Sequence, residues 1–405
     1  MEPPYKERIP GSAVLFCMPE PGHFQRLVPL IAELARGGVS AHVLTHRSFE
    51  GPVRRAGGRF VDLFAGHPVE AADAESFPVP CRYVSFAAHY ADSITRLAER
   101  LGPTLVIYDT FAVIGLLVAR RLGLPYVNVC AGHNMVPARF LEMLTVDPRV
   151  RVSPACERAA ARLRDEHGVA DATPFSYVAM LSPHLNLYCE PPEFLDEAER
   201  RTFEPLAFFG SLPRWTPSSR RPRATDGVRV YASFGTVVWR YYAREALAAL
   251  AAISSAVAGI PRARLRVSLG RAGIAPEQVS ALSRENVRIE PYVDQPTVLR
   301  ETDVFITHQG LNSTHEAIAA EVPMLSYPFF WDQPALATKC QALGLAVALA
   351  DSPRAAIGPA DVARGLASVA QRRTPMREAL ARAAGWEKRV VEERQLVIER
   401  IKRLL

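Results

Sequence analysis

The stretch from 292 to 333 (YVDQPTVLRETDVFITHQGLNSTHEAIAAEVPMLSYPFFWDQ) restricts the possible folds more than any other part of the chain. Within it, 304–307 is a short apolar and β-branched run, which predicts a buried strand. A turn follows, and Ser313 with Glu316 three residues later forms the capping-box pattern that starts a helix. His308 is therefore expected between the carboxyl end of a strand and the amino end of a helix. Open α/β sheets bind ligands at such places, and free backbone N–H groups there favour an anion.

Strand-like and helix-like segments alternate along the whole chain, which predicts parallel sheets with right-handed crossovers. Two sets of strands are separated by 213–227, a segment rich in Pro, Ser and Arg that is typical of an interdomain linker. The fold class is therefore α/β, with two Rossmann-like doubly wound domains facing a central cleft. Residues 1–212 form the first domain and 228–387 the second, and a charged last helix is expected over 388–405. The predicted strands are 13–18, 40–46, 59–64, 104–109, 126–130, 184–189, 206–212, 229–235, 264–270, 287–292, 304–308, 324–328 and 346–350.

Two segments of the first domain lack a clear period. Residues 66–82 carry several prolines and are expected to form a long loop or lid. Residues 132–185 are expected to form helical pieces, an insertion that shapes a pocket.

The composition indicates an ordinary globular protein. The chain has 405 residues, 49% of them hydrophobic, and a formal net charge of +6. No lysine and arginine run is interleaved with aromatic residues, so the charge suits anionic small ligands and does not indicate nucleic-acid binding. The six cysteines are scattered without a C-x-x-C pair, which favours a reducing, cytoplasmic location. No signal peptide is apparent, and no apolar run approaches the roughly 20 residues that a membrane span needs.

The features of 292–333 occur together in one known pattern. A His precedes a Gly-containing turn, Asn-Ser-Thr stands at the helix start, a Glu follows one turn later, and Asp332-Gln333 follows the next strand. This stretch resembles the nucleotide-sugar donor signature of inverting GT-B glycosyltransferases of the UDP-glycosyltransferase and macrolide glycosyltransferase type (glycosyltransferase family 1). The resemblance implies a GT-B fold whose terminal helix crosses back onto the first domain. It implies a nucleotide-sugar as co-substrate, with no metal or other cofactor, and no D-x-D metal motif is evident nearby.

The resemblance also implies a role for each residue of the donor site. His308 and the backbone around Asn312 would hold the diphosphate, Glu316 would accept from the ribose hydroxyls, and the pair at 332–333 would bind the sugar. The segment at 233–236 would approach the phosphates, and the segment at 292–295 would frame the nucleobase. The implied donor residues are Ser233, Gly235, Thr236, Tyr292, Val293, Gln295, His308, Gly310, Asn312, Ser313, Thr314, Glu316, Asp332 and Gln333.

This chain departs from the family pattern at a few positions. Tyr292 stands where Trp is common and Asp294 where Pro is usual, so the base pocket could be altered. Gln309 and His315 are further differences, and His315 is expected on the helix surface. Asn-Ser-Thr followed by Glu316 favours a UDP-sugar over a dTDP-sugar.

His23 is the predicted catalytic base. It follows the first strand in a Pro-Gly-His turn at the carboxyl edge of the first sheet, and Asp109 ends another strand of the same sheet. Transfer to a hydroxyl needs a base, and imidazole titrates near neutrality. A carboxylate behind the ring can fix its tautomer. This arrangement resembles the His–Asp dyad of the family. Taken alone, a loop His is more often structural, and Asp109 could only cap the next helix.

The acceptor is expected in the first domain, in an apolar pocket that the sequence does not identify further. Each of the candidate lining residues could equally belong to the core. They are Phe111, His133, Met135, Phe140 and Trp239.

The sequence is also compatible with other functions. The same scaffold could transfer sugar to carbon or nitrogen, or it could bind nucleotide-sugar without catalysis as a partner protein. A peripheral membrane enzyme that glycosylates a lipid would need an exposed basic and apolar patch, which 66–90 does not clearly provide. The expected partners are the donor and a small hydrophobic acceptor, with no nucleic acid and no transmembrane segment, in a monomer or homodimer. Fold alone cannot decide among these functions.

Overall fold

The computed structural model describes residues 11–133, 136–216 and 227–405. Over these residues the chain forms two parallel sheets, each with helices on both faces, as expected for two doubly wound domains. The amino-terminal domain is built on the first sheet and the carboxyl-terminal domain on the second. Residues 217–226, which make up most of the predicted linker, lie outside the described range.

The first sheet has, among the described residues, seven strands in the order β3-β2-β1-β4-β5-β6-β7, all parallel. Its strands are β1 (Ser12–Phe16), β2 (Ser40–Thr45), β3 (Arg59–Asp62), β4 (Leu105–Asp109), β5 (Tyr126–Cys130), β6 (Leu185–Tyr188) and β7 (Leu206–Phe208). The helices of this domain are α1 (Pro21–Arg36), α2 (Glu50–Arg55), α3 (Val69–Ala72), α4 (Pro80–Glu99), α5 (Val113–Leu122), α6 (Pro137–Thr145), α7 (Pro154–Asp165), α8 (Ser176–Ala179) and α9 (Glu197–Thr202). Short 3₁₀ turns occupy Arg47–Phe49 and Pro192–Phe194.

The second sheet has six parallel strands in the described range, in the order β10-β9-β8-β11-β12-β13. Its strands are β8 (Arg229–Ser233), β9 (Arg264–Ser268), β10 (Val287–Glu290), β11 (Val304–Thr307), β12 (Met324–Ser326) and β13 (Ala346–Ala348). The remaining helices are α10 (Val238–Ala258), α11 (Pro276–Leu282), α12 (Gln295–Leu299), α13 (Leu311–Ala319), α14 (Gln333–Ala342), α15 (Pro359–Gln371), α16 (Arg373–Glu392) and α17 (Arg394–Lys402).

The central strand β1 shows why an unbroken apolar run is needed here. Leu15 faces the core cluster under α1, whereas Val14 and Phe16 face the cluster under α4 and α5. All three side chains are fully buried. Strands of a parallel sheet are covered on both faces, so a continuous apolar run is expected in place of alternation.

Three local expectations are wrong. The segment 66–82 is not one long loop, because it contains α3 and the first turn of α4. The terminal segment 388–405 is not one helix, because α16 ends and α17 begins around Glu393. The helix after His308 begins at Leu311 with Gly310 as its N-cap, so Ser313 lies inside the helix and does not cap it.

The terminal helix α17 packs on α1 of the amino-terminal domain. Ile398 and Ile401 are fully buried in the same core cluster as Leu30. Beside them, Arg394 is 1% exposed, and its guanidinium stacks 4.6 Å above the ring of Phe209. The chain therefore returns from the carboxyl-terminal domain to the first domain.

Arg394 closes this contact with hydrogen bonds to the main chain. Its Nε donates to the Phe209 carbonyl at 2.8 Å, its Nη2 to the Leu212 carbonyl at 2.5 Å and its Nη1 to the Pro213 carbonyl at 3.2 Å. Burial lowers the pKa of Arg394 to about 10, so the guanidinium is still charged at neutral pH. These carbonyls lie where the first domain ends.

All six cysteines are buried and unpaired. In the described part of the chain, no helix combines the length and the apolar character that crossing a bilayer requires.

We expect Arg394→Gln to destabilise the protein, because the shorter neutral side chain leaves buried carbonyls without donors. The free energy of unfolding should fall by about 2–4 kcal/mol. Urea denaturation measures the change, and Arg382→Gln on the exposed face of α16 is the matched control. Equal midpoints for the two variants would show that Arg394 does not hold α17 in place.

Candidate active site

A cavity of about 880 Å³ lies between the two domains, at the carboxyl ends of both sets of strands. Its walls come from the loop after β1 and the start of α1 on one side. On the other side lie the loop after β8 and the amino end of α13. Because the loops that follow parallel strands converge at one edge of a sheet, two such edges facing each other form a two-sided site.

His23 and Asp109 form a hydrogen-bonded pair at the amino-terminal side of the cavity. His23 Nδ1 lies 2.8 Å from Asp109 Oδ2 and 3.0 Å from Oδ1. The Asp109 side chain is fully buried, whereas that of His23 is 14% exposed and lines the cavity. An Nδ1–H that donates to the carboxylate leaves Nε2 as the nitrogen that can take a proton.

The backbone explains how the pair is assembled. Strands β1 and β4 are neighbours, with Phe16 opposite Tyr108, so their carboxyl ends emerge side by side. His23 was expected in a loop, but it lies in the first turn of α1, which starts at Pro21. Helical backbone on one side and a strand end on the other fix both side chains. The fold therefore brings together two residues that are 86 positions apart.

The ring of Phe111 packs against the face of the His23 imidazole. Its ring stacks on His23 with centroids 4.0 Å apart, and its backbone N–H donates to Asp109 Oδ1 at 3.0 Å. Trp331 of the carboxyl-terminal domain packs edge-on against the Phe111 ring at 6.0 Å. Aromatic surface from both domains therefore lies next to the predicted base.

His308 lies on the opposite wall, enclosed by two glycines. A Cβ atom added to Gly235 would lie 2.7 Å from His308 Nε2, and one added to Gly310 would lie 2.2 Å from it. Gly235 also has φ of 68°, which disfavours other residues. Burial lowers the pKa of His308 from 6.5 to about 4, so the ring is neutral at pH 7.

The amino end of α13 faces the cavity through Gly310, Leu311, Asn312 and Ser313. The first N–H groups of a helix have no intrahelical acceptor, so this end can bind an anion. Asn312 also joins the domains: its Nδ2 donates to the Gly22 carbonyl at 3.2 Å, and its Oδ1 accepts from Arg26 Nε at 3.1 Å. Its side chain is therefore engaged in an interdomain contact.

Glu316 belongs to a polar network on the same helix. Gln295 Nε2 donates to Glu316 Oε2 at 2.7 Å and to Ser313 Oγ at 3.0 Å, and Tyr231 O–H donates to Gln295 Oε1 at 3.0 Å. Burial is the main cause that raises the pKa of Glu316 to about 7. The Gln295 hydrogen bond opposes this rise, and the charge of Asp294 adds to it.

Two further ends of the cavity are defined by Tyr292 and by Asp332. The Tyr292 ring is 54% exposed, and the guanidinium of Arg271 lies 4.3 Å from its centroid. Asp332 Oδ2 accepts the backbone N–H of His133 at 3.0 Å, while Gln333 Oε1 accepts the N–H of Phe329 at 2.9 Å. Both members of the 332–333 pair also line the cavity.

Most of the sequence-predicted site residues converge on this one cavity. Those that line it are His23, Phe111, Phe140, Ser233, Gly235, Thr236, Tyr292, Val293, Gln295, His308, Gly310, Asn312, Ser313, Glu316, Asp332 and Gln333, while Asp109 lies directly behind His23.

Besides Asp109, three predicted residues that the structure describes do not line the cavity. Thr314 is fully buried, with its hydroxyl bonded to the Gly310 carbonyl and to Gln309. Trp239 points its Nε1 at the Gly235 carbonyl at 3.0 Å and packs in the core. His133 is 2% exposed; its backbone N–H donates to Asp332, whereas its ring bonds to Glu190 behind the cavity. Met135 lies outside the described residues.

Arg26 and Glu20 also line the cavity, although neither was among the residues predicted from the sequence. Glu20 Oε1 accepts from Tyr83 O–H at 2.7 Å and from Arg240 Nη1 at 3.3 Å, which gives a second contact between the domains. Their only sequence signal was a charge on a helix start whose other residues are largely apolar.

Behind the cavity, four buried ionisable residues connect the domains. Glu190 accepts from His133 Nδ1 at 2.7 Å and from His315 Nε2 at 3.0 Å, and His315 Nδ1 donates to Glu387. His315, expected on the helix surface, is fully buried, and that expectation is wrong. Position on α13 alone could not show that α16 covers this face.

The charges of this network stabilise one another. Burial alone lowers the pKa of His315, but Glu387 and Glu190 outweigh it and raise the pKa to about 10. Burial alone raises the pKa of Glu190, but His133 and His315 hold it well below its ordinary value of 4.5. Among the described residues, no group of three or more His, Cys, Asp or Glu side chains has the arrangement of a metal site.

The fold is that of GT-B glycosyltransferases. The solved structure of the kitacinnamycin glycotransferase matches with a TM-score of 0.75 and 22% identity, over 98% of this chain and 99% of that one. In sequence, the uncharacterized UDP-glucosyltransferase YdhE of Bacillus subtilis (strain 168) is 24% identical over 82% of this chain and 84% of its own length. The oleandomycin glycosyltransferase of Streptomyces antibioticus is 25% identical over 85% of this chain and 80% of its own.

The family model "UDP-glucoronosyl and UDP-glucosyl transferase" matches residues 212–374, which contain the second sheet and its side of the cavity. In sequence and fold the chain is therefore similar to GT-B glycosyltransferases of the UDP-glycosyltransferase and macrolide glycosyltransferase type. The resemblance drawn from 292–333 is confirmed.

The buried network generates a pH-dependent prediction. His315 contributes stability that is fully present below its ordinary pKa of 6.5 and is lost as the pH rises through about 10. Glu190 contributes stability that is present above 4.5 and is lost at lower pH. We therefore expect His315→Gln to lower the free energy of unfolding by about 3–5 kcal/mol near pH 6, with a difference that shrinks toward pH 10.

Urea denaturation of the wild type and the variant at several pH values measures this difference. His89→Gln, on the exposed face of α4, is the control and should cause little change at any pH. A loss of stability in His315→Gln that is constant from pH 6 to pH 10 would contradict the ionic account.

Proposed function

We propose that the protein is an inverting, metal-independent transferase that moves a sugar from a nucleotide-sugar, with UDP-sugar favoured, to a hydroxyl of a small hydrophobic acceptor. His23 is the general base and Asp109 its partner. The observation that carries this proposal is the His23–Asp109 pair on the cavity wall opposite the amino end of α13.

The reaction is a single displacement. His23 Nε2 takes the proton of the acceptor hydroxyl as the acceptor oxygen bonds to C1 of the sugar. The bond from C1 to the phosphate oxygen breaks, and its electron pair leaves with the nucleoside diphosphate. Asp109 stabilises the imidazolium that forms. One displacement with attack opposite the leaving group inverts the anomeric configuration.

The carboxyl-terminal domain would hold the donor. The first-turn N–H groups of α13 can bind the diphosphate, and the neutral His308 can donate one hydrogen bond to it. These donors supply the positive potential for which other transferases use a divalent cation, so the proposal includes no metal and no resident cofactor. Asp332 and Gln333 would bind the sugar hydroxyls, and Tyr292 would frame the base.

The choice of UDP rests on the ribose side of the site and on the relatives. Glu316 carries a carboxylate oxygen for ribose hydroxyls, and YdhE is named as a UDP-glucosyltransferase. The acceptor would lie against Phe111, Phe140 and Trp331, an apolar aromatic wall beside the base. Since one relative acts on oleandomycin by its name, we propose a natural-product aglycone as the acceptor class.

The domain division follows from the same roles. We propose 1–212 as the acceptor domain, 213–227 as the linker and 228–387 as the donor domain. Residues 388–405 then return to the acceptor domain.

Removal of the base should abolish transfer but leave donor binding intact. We expect His23→Ala to lower kcat for an alcohol acceptor by about 10²–10⁴-fold, since general-base catalysis contributes that much. UDP binding, measured by calorimetry, should be unchanged, because His23 lies across the cavity from α13. Asp109→Asn should also lower kcat, since an amide cannot balance the imidazolium charge.

The assay uses UDP-glucose with a panel of hydrophobic alcohols, and NMR of the product reports the anomeric configuration. His46→Ala, at the end of the neighbouring strand β2 and exposed, is the matched control. Wild-type turnover by His23→Ala, or an α-linked product, would rule out this mechanism. UDP binding without turnover in the wild type would favour the non-catalytic alternative.

Glu316 gives a second test of the donor site. A carboxylate accepts from ribose hydroxyls better than a carboxylic acid does, and the pKa of Glu316 is about 7 in the free protein. We therefore expect UDP affinity to fall about tenfold between pH 8 and pH 6 in the wild type, relative to Glu316→Gln. Taking the ratio of the two proteins removes the titration of the nucleotide itself. A ratio that does not change with pH would show that Glu316 does not bind the ribose.

A further inference from the structure

Arg26 is a buried cation in the cavity that the proposed mechanism does not use. It lies on α1, one helical turn after His23, and is 7% exposed. Its Nε donates to Asn312 Oδ1 at 3.1 Å, while its Nη1 is buried without a hydrogen-bond partner in the described structure. Within that same part of the chain, no carboxylate forms a salt bridge with Arg26.

This environment is unfavourable for a guanidinium without a further ligand. The guanidinium has five N–H donors and a permanent charge. Burying a charge without a partner costs roughly several kcal/mol of folding free energy. The bond to Asn312 uses one donor and needs no charge, because an uncharged amide could make it. The remaining donors and the charge therefore point to an anion that is not part of the protein.

The position of Arg26 identifies where that anion would bind. Asn312, its hydrogen-bond partner, is the second residue of α13, so the guanidinium lies beside the free N–H groups of that helix. His308 on the same wall is neutral at pH 7. The other arginines of the cavity wall, Arg214, Arg271 and Arg300, are more exposed. Arg26 is therefore the most deeply buried arginine of the cavity wall, and it lies next to the α13 amino end.

We propose that Arg26, carried by the acceptor domain, binds the diphosphate of the nucleotide held by the donor domain and stabilises its charge as the sugar leaves. The proposal rests on the proposed function, because it assumes that a nucleoside diphosphate binds at α13. A diphosphate bound there satisfies the free N–H donors of the guanidinium and gives its charge a partner.

This arrangement couples the two halves of the reaction. His23 and Arg26 are three positions apart on α1, so they lie close to each other on one side of the helix. The same helix turn therefore presents the base to the acceptor and the cation to the leaving group. Both contacts to Asn312, from Gly22 and from Arg26, hold that turn against α13. Leaving-group stabilisation would then be complete only when the domains are closed.

Calorimetry with UDP and with uridine tests the proposal, because only UDP carries the diphosphate. We expect Arg26→Gln to weaken UDP binding by about 30- to 100-fold, as for loss of a charge-assisted contact, and to change uridine binding less than about twofold. The dependence of UDP affinity on salt should also be weaker in the variant. Arg26→Lys keeps the charge without the fork and should lie between the two. Arg36→Gln, on the exposed end of the same helix, is the control and should bind UDP as the wild type does.

Each outcome is decisive. UDP affinity of Arg26→Gln within threefold of the wild type would overturn the proposal and leave Arg26 as a tie between α1 and α13. If that variant does not fold, Arg26→Lys with wild-type affinity and wild-type kcat would overturn it. Failure of the wild type to bind UDP or dTDP would instead overturn the proposed function, and this inference with it. Loss of UDP and uridine binding to the same extent would show a general disruption of the site and also overturn the proposal.

Discussion

The geometry of the cleft depends on two hydrogen bonds that the Asn312 side chain forms with the amino-terminal domain. One amide receives a hydrogen bond from Arg26 and donates one to the Gly22 carbonyl, so the first turn of α1 is held against the first turn of α13. His23, the proposed base, lies on the first of these turns, and the N–H groups that we propose to bind the diphosphate lie on the second. The family resemblance implies that the backbone around Asn312 holds the diphosphate. The two hydrogen bonds give its side chain a second role, which is to join the domains. These hydrogen bonds fix the distance between the first turn of α1, which carries His23, and the amino end of α13.

Burial controls the charges around this contact, and it acts differently on each group. His308 is enclosed by glycines without a countercharge, so it stays neutral. The pKa of Glu316 is raised to about 7, so its carboxyl group is only partly ionised at neutral pH. His315 is fully buried, but two carboxylates keep it charged at neutral pH. Burial thus leaves His308 neutral in the cavity and His315 charged behind it, because only His315 has carboxylate partners.

Two further sets of buried hydrogen bonds, those of Glu190 and those of Arg394, also hold the two domains together. Glu190 connects the loop after β5 with α13, and the backbone N–H of His133 in that loop fixes Asp332. Arg394 holds α17 against the end of the first domain. Polar groups buried between domains are costly unless every partner is in place, so they favour one relative orientation over others.

The sequence by itself determined the two parallel sheets, the convergence of the residues after β11 on one cavity and the pairing of His23 with Asp109. These follow from local patterns: apolar runs bounded by turns, and residues that end neighbouring strands. It did not determine which face of α13 is covered, so His315 was misplaced and Ser313 was taken as a cap. Only the tertiary structure decided these points, because burial depends on elements distant in sequence, such as Glu190 and Glu387. Arg26 shows the same limit. A charge on a helix becomes a candidate ligand-binding group only when the fold surrounds it with protein and gives it no counterion.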